Sequence, residues 1–236
     1  MIELKYRPDV DGLRAVAVML VLLYHGGLGF SGGYVGVYVF FVISGFLITG
    51  LILKEQKAGT FSLRGFWARR IRRIIPAAAT MALVTLAAGY FLLFPSDYEE
   101  LGRSAVAQQL LVSNIFFWRH TGYFAGASEL KPLLHTWSLA VEEQFYLGYP
   151  FLLLLLARFK RRMAFGVLVG LALASLAVAE YGVWNHPSPT FFFLPTRAWE
   201  LLLGALICFL PEPVRVRPRL LAAATLLSLG AILAAG

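Results

Sequence analysis

"DVDGLRAVAVMLVLLYHGG" runs from Asp9 to Gly27. Its middle, Ala15 to Leu23, is apolar enough to enter a bilayer, yet Asp11 and Arg14 stand at one end and His25 at the other. A helix turns about 100° per residue, so Arg14 and His25 project within about 20° of each other. Asp11, Arg14, Val18 and His25 therefore form one stripe, and Asp11 and Arg14, at i and i+3, are within pairing reach. The basic flank and short apolar core have the outline of a cleaved signal peptide. Several more apolar runs follow, so the segment reads instead as a first membrane span.

Composition leads the same way. Of the 236 residues, 59% are hydrophobic and only 14% are charged, against about 25% charged in an ordinary soluble domain. Mean hydropathy is +0.72. The class implied is an integral membrane protein, in contact with lipid. Apolar runs fall at about 10–29, 35–54, 76–94, 133–157, 163–183, 191–210 and 219–236. A span needs about 20 residues. The expected fold is all-α, a polytopic transmembrane helix bundle with about seven spans. The last run stops at Gly236 with no polar tail, so one membrane domain over 1–236, cut short at its C-terminus, is expected.

The net charge of +8 finds its first explanation in topology rather than in nucleic acid. Lys54, Lys57, Arg64, Arg69, Arg70, Arg72 and Arg73 share the second connection. Arg158, Lys160, Arg161 and Arg162 share the fourth, and Arg215, Arg217 and Arg219 the sixth. If every span crosses once, all three connections lie on one side, and the excess of Lys and Arg makes that side the cytoplasm. Lys5 and Arg7 agree, so the N-terminus is expected to be cytoplasmic. The opposite side holds only Arg103, Arg119 and Lys131. There "SAVAQQLLVSNIFFW" (104–118) is too polar for a span and reads as an outer interfacial or re-entrant helix. Phe116, Phe117 and Trp118 suit the headgroup level. "HPSPT" (186–190) and "PEPVRVRP" (211–218) read as Pro-rich turns. The single cysteine, Cys208, rules out an intrachain disulfide.

Two later spans repeat the polar stripe. His135, Ser138, Glu142 and Tyr146 share one side of the fourth, with Glu143 and Gln144 beside it. Arg197 and Glu200, at i and i+3, share a face of the sixth with Gly204. Ionisable groups in a bilayer are costly and usually face a bundle interior or a wet cavity, so three such stripes imply a shared polar cavity. Bland readings stand beside this one. Arg197–Glu200 can be a packing ion pair, Asp11 and Arg14 an interfacial helix start, and His25 a satisfied core histidine. A histidine also suits general acid–base work. Glu142 has the stronger functional case, because a buried carboxylate needs a cation or a shifted pKa. Arg69, Arg70, Arg72 and Arg73 in the loop "FWARRIRRIIP" (66–76) can hold topology, bind anionic headgroups or grip the phosphates of a cofactor. No P-loop, HExxH or GxSxG pattern is present, and no metal site is expected.

Six blocks in order resemble the acyltransferase 3 family of membrane O-acyltransferases: "RPDVDGLRAVAVMLVLLYH" (7–25), "GGYVGVYVFFVISGFLIT" (32–49), "FWARRIRRIIPA" (66–77), "SNIFFW" (113–118), "ELKPLLHTWSLAVEEQFYLGYP" (129–150) and "PTRAWELLLGAL" (195–206). The resemblance implies about ten helices in a bacterial cytoplasmic (inner) membrane. It implies transfer of an acyl group, often acetyl, from cytoplasmic acyl-coenzyme A to a carbohydrate hydroxyl such as one on O-antigen or peptidoglycan. It places the essential histidine at His25, the first-helix arginine at Arg14 and the conserved-block glutamate at Glu142. Its Arg-x-x-Arg motif fits Arg70 and Arg73, while Arg69 and Arg72 offer the same spacing. Many members carry aspartate where this chain has Tyr38. The subgroup with "PLLHTWSLAVEEQFY" commonly continues into an outer SGNH-type domain, the expected C-terminal partner.

The expected roles are His25 and Glu142 in catalysis. Asp11, Arg14, Arg69, Arg70, Arg72, Arg73, His135, Ser138, Arg197 and Glu200 are expected to bind substrate or cofactor. No nucleic-acid partner is expected. A transporter or flippase, and a non-catalytic membrane scaffold for a glycan-modifying enzyme, are the alternative classes.

Overall fold

The computed structural model describes residues 7–28, 32–120 and 131–210, together with Gly230. Nine helices are described: α1 (Pro8–His25), α2 (Val35–Lys57), α3 (Leu63–Leu92), α4 (Pro95–Gln109), α5 (Ser113–Arg119), α6 (Thr136–Leu156), α7 (Arg161–Asn185), α8 (Pro187–Phe192) and α9 (Leu194–Ile207). Local chemistry sets many of the ends. Pro8 and Pro95 open α1 and α4, where a missing N–H costs nothing. The Ser62 hydroxyl accepts the Gly65 N–H and caps α3. Past α2, Gly59 takes a left-handed φ of +67°, which spares a side chain the strain of the turn.

Five stretches among the described residues are long and apolar enough to cross a membrane: α2, α3, α6, α7, and α8 with α9 taken together. These correspond to five of the seven runs expected from sequence. Within its 18 residues α1 holds Asp9, Asp11 and Arg14, and the run 219–236 falls outside the described residues, as does "PEPVRVRP". Phe91 is 82% exposed and Trp184 79%. Such apolar faces suit lipid, not water.

Three boundaries differ from the sequence reading. The arginine-rich stretch 66–76 is no loop but the first turns of α3, which runs on through Pro76. "HPSPT" begins a short helix, α8, because Pro187 sits at its first position. The segment 104–118 is two helices, not one. It breaks at Leu111, whose φ of +59° is left-handed.

The reason for that break is a buried amide pair. Asn114 Nδ2 donates to Gln144 Oε1 (3.2 Å) and to Phe192 O (3.1 Å), and Gln144 Nε2 donates to Asn114 Oδ1 (2.9 Å) and Leu111 O (3.0 Å). The Leu111 carbonyl is turned out of its helix to join this network. Ser113 Oγ donates to Thr136 O (2.9 Å) beside it. α5 is therefore pinned to α6 and α8 through groups that would be expensive to bury unpaired. Asn114→Leu is expected to cost about 1–3 kcal/mol and to lower the melting temperature of the detergent-solubilised protein. Gln144→Leu should add less in the double variant than alone, because both act on one network. An unchanged melting temperature in Asn114→Leu would contradict this role.

The chain forms two compact units. One comprises α1, α2 as far as Lys54, residues 161–170 of α7 and α9 from Glu200. Its helices meet at glycines. A Cβ built on Gly45 of α2 would lie 1.8 Å from the Leu201 carbonyl oxygen of α9, and one on Gly204 1.8 Å from that of Val42. Gly36 and Gly33 do the same toward Ala17 and Leu20 of α1, at 2.4 and 2.2 Å. Backbone against backbone is the close packing that small residues allow in membranes. Arg161 caps the end of α9, its Nη2 donating to Cys208 O (3.3 Å) and Leu210 O (3.1 Å).

The second unit comprises residues 55–160 and 171–199. Here a proline inside a helix leaves the carbonyl four residues back without its usual donor, and a side chain takes it. Pro150 of α6 frees Tyr146 O, which accepts Trp67 Nε1–H at 3.2 Å. At the break between α8 and α9, Phe191 O accepts Arg197 Nε–H at 3.1 Å. Ser175 joins in: its hydroxyl donates to Pro195 O (2.6 Å) while accepting the Trp199 N–H (3.0 Å).

Candidate functional site

In the first unit, His25 is the last residue of α1 and is exposed. Its Nδ1 lies 2.8 Å from the Val21 carbonyl oxygen one turn back. A carbonyl can only accept, so Nδ1 carries the proton. In the neutral ring this leaves Nε2 as a lone pair, the form a base or nucleophile requires. Tyr24 stands edge-on to the imidazole at 5.1 Å, Tyr34 to Tyr24 at 6.1 Å, and Tyr38 to Tyr34 at 6.0 Å. Tyr38 thus belongs to a file of rings that ends beside His25.

Asp11, Val18 and His25 are exposed and Arg14 half-buried, while Ala17 and Leu20 are buried on another side. Arg14 Nη1 is 3.8 Å from Asp11 Oδ1, at the limit of an ion pair. Glu200 is wholly buried, one residue before Leu201 at the glycine crossing.

The second unit holds the arginines and the α6 stripe. Arg69 is committed: its Nη2 reaches both oxygens of Glu55, at 2.7 and 2.8 Å. Arg72 and Arg73 are exposed. Arg70 is half-buried, with Arg73, Tyr146 and Glu143 as its charged or titratable neighbours, and its guanidinium lies 6.0 Å from the Phe66 ring. Arg70 Nε and Glu143 Oε1 are buried without a hydrogen-bond partner among the described residues. The half-buried Arg70 guanidinium and the exposed Arg73 one turn on make a donor set that fits a phosphate.

On α6 the Glu142 carboxylate accepts the Tyr146 hydroxyl at 3.3 Å, and Ser138 Oγ donates to the His135 carbonyl at 3.1 Å. His135 is exposed, its Nε2 3.4 Å from Met81 Sδ. Arg197 lies over the rings of Trp137 (5.6 Å) and Phe191 (5.1 Å). With its bond to Phe191 O, this gives it a packing task whatever else it does.

Sequence reasoning set Glu143 and Gln144 aside as flanking residues. Glu143 is the carboxylate beside Arg70, and Gln144 holds α5. The signal for both was present in the charged and amide side chains adjoining the stripe. A cavity of about 460 Å³ lies elsewhere, lined by Arg103, Val106, Leu110, Phe116, Arg119 and His120 among others. Among the described residues no group of three or more His, Cys, Asp or Glu is placed to hold a metal ion.

Comparison with known proteins completes the picture. The chain matches the acyltransferase domain family, acyltransferase 3, over residues 7–236. It is 39% identical over 223 residues to the peptidoglycan O-acetyltransferase OatA of Listeria monocytogenes, covering 91% of this chain and 35% of that protein. It is 37% identical over 219 residues to the O-acetyltransferase OatA of Staphylococcus aureus, covering 90% and 36%. A putative O-acetyltransferase of another S. aureus strain is 36% identical over 222 residues, covering 91% and 36%. The chain therefore spans about a third of the length of these relatives. No solved structure matches it. With the family matched from Arg7 to the last residue, and these identities running along nine-tenths of the sequence, the chain belongs to the acyltransferase 3 family of integral membrane acyltransferases.

Proposed function

We propose that this protein moves an acyl group, acetyl in the first instance, from cytoplasmic acyl-coenzyme A to a hydroxyl of a cell-surface carbohydrate. Peptidoglycan is the acceptor of choice, since a relative bears that name. The observation that carries the reading is the His25 tautomer. With Nδ1–H held by the Val21 carbonyl, Nε2 takes the proton of the acceptor hydroxyl. The oxygen bonds to the acyl carbon, the carbon–sulfur bond breaks, and the imidazolium returns its proton to the departing thiolate. In the second unit Glu142, braced by the Tyr146 hydroxyl, forms with His135 and Ser138 a polar stripe on α6 that binds substrate. Arg14 is kept in place by Asp11.

Arg70 and Arg73 bind the donor's phosphates, and Arg69, neutralised by Glu55, does not. The distribution of Lys and Arg supports a cytoplasmic N-terminus and a cytoplasmic start to α3. It sets α4 and α5 on the outer side, where the exposed Val106 and Leu110 meet the interface. The same outer face serves an SGNH-type domain, on this chain or apart from it. Arg70→Ala with Arg73→Ala is expected to raise the KM for acetyl-coenzyme A by about 10–100-fold, the worth of one to two charge-assisted bonds. Arg69→Ala should raise it less than about threefold. Initial rates against donor concentration in washed membranes measure both. An unmoved KM in the double variant would overturn the phosphate assignment.

A further inference from the structure

We infer that Trp67 is a positioning residue for the donor site: its indole N–H, bonded to the carbonyl that Pro150 frees, sets the height at which Arg70 meets α6. This rests on the reading of Arg70 and Arg73 as the phosphate grip. A matched pair of contacts carries it. Trp67 of α3 meets Tyr146 O of α6 at 3.2 Å, and Arg70, one turn on, has Glu143 of α6 as its neighbour. Residues 67 and 70 advance along α3 while 146 and 143 retreat along α6, so the two contacts share one antiparallel register. The Trp67 ring packs 5.5 Å from that of Phe151, just past the proline. Pro150 removes the N–H that would otherwise serve the Tyr146 carbonyl four residues on, and lipid offers none in its place. Sliding α3 along α6 would break the Trp67 bond and move Arg70 with it.

The test compares Trp67→Phe, Pro150→Ala and the double variant in membranes, with donor KM and kcat measured separately. Trp67→Phe keeps a ring against Phe151 but loses the donor. It is expected to raise the KM for acetyl-coenzyme A about fivefold, the worth of one hydrogen bond, with kcat within about twofold of the parent. Adding Pro150→Ala returns an N–H to residue 150 and satisfies the Tyr146 carbonyl within α6, but restores no tie between α3 and α6, so the double variant should accumulate like the parent and keep the raised KM. A purely structural role would instead lower the amount of folded protein with KM unmoved. That result, or a double variant with the parent KM, overturns the inference. Should Trp67→Phe not accumulate, the double variant must accumulate with the raised KM; its failure to do so also overturns it. Arg70→Ala with Arg73→Ala separates the two levels. If that variant raises KM while Trp67→Phe does not, the phosphate site stands and the positioning role falls. If neither moves KM, the phosphate reading itself has failed.

Discussion

His25→Ala is expected to lower acyl transfer by about 10²–10⁴-fold, the usual worth of a positioned general base, while leaving the protein folded and inserted. The structural part of that expectation follows from exposure. The imidazole bonds to the carbonyl of its own helix, one turn back, and its ring touches Tyr24 at an edge. Removing it opens no core cavity. The chemical part follows from the tautomer. His25→Gln can still donate to Val21 O through its amide nitrogen but offers no basic lone pair, so it should be as inactive as alanine. A variant that folds, inserts and retains parental turnover in either form would remove His25 from the chemistry. Assaying label transfer beside a detergent melting curve separates loss of chemistry from loss of fold.

The second large effect is on folding. Gly45→Leu and Gly204→Leu should each prevent accumulation of folded protein. A Cβ alone at either position would sit 1.8 Å from a backbone carbonyl of the facing helix, well inside contact distance. The obstacle is main chain, which has no rotamer to yield. The helices would have to part, exposing Ile48, Ile52, Leu201 and Ala205, each 2% exposed or less. Overpacking a core typically costs about 1–3 kcal/mol, occasionally more, and here the backbone clash adds to side-chain volume. The control is Gly166→Ala on α7, where a new Cβ meets nothing within 4 Å. That change should be neutral or stabilise by up to about 1 kcal/mol, since alanine is the better helix former. Size-exclusion profiles of the solubilised variants distinguish the cases. A Gly45→Leu protein as abundant and monodisperse as the parent would contradict the crossing.

These effects show what a reader of the sequence could and could not see. Hydrophobic periodicity found the long helices, because a span must satisfy its backbone internally and so leaves an unbroken apolar run. It also found the stripe from Asp11 to His25, which follows from helix geometry alone. The glycines of "GGYVGV", "ISGF" and "LLGAL" were visible as residues, but their partners were not. That Gly45 needs Leu201 and Gly204 needs Val42 is a long-range fact. The arginine-rich stretch read as a loop because its charges masked the helical start that Ser62 caps. The break at Leu111 was hidden for the opposite reason. Nothing local demands it, and it arises from Gln144, 33 residues away. Pro150 carried a readable clue, an orphaned carbonyl at Tyr146, and only the identity of its donor, Trp67, had to come from the fold.

The claim on which the account turns is that a covalent bond changes hands on this protein, and labelled donor tests it most directly. Membranes producing the protein would be given acetyl-coenzyme A carrying isotope in the acetyl group, with cell-wall polymer as acceptor. The account expects alkali-labile label on the polymer, free coenzyme A released in equal amount, and neither product with His25→Ala. Unmodified carbohydrate crossing the membrane with no ester formed, or ester formed equally well by His25→Ala, would contradict it.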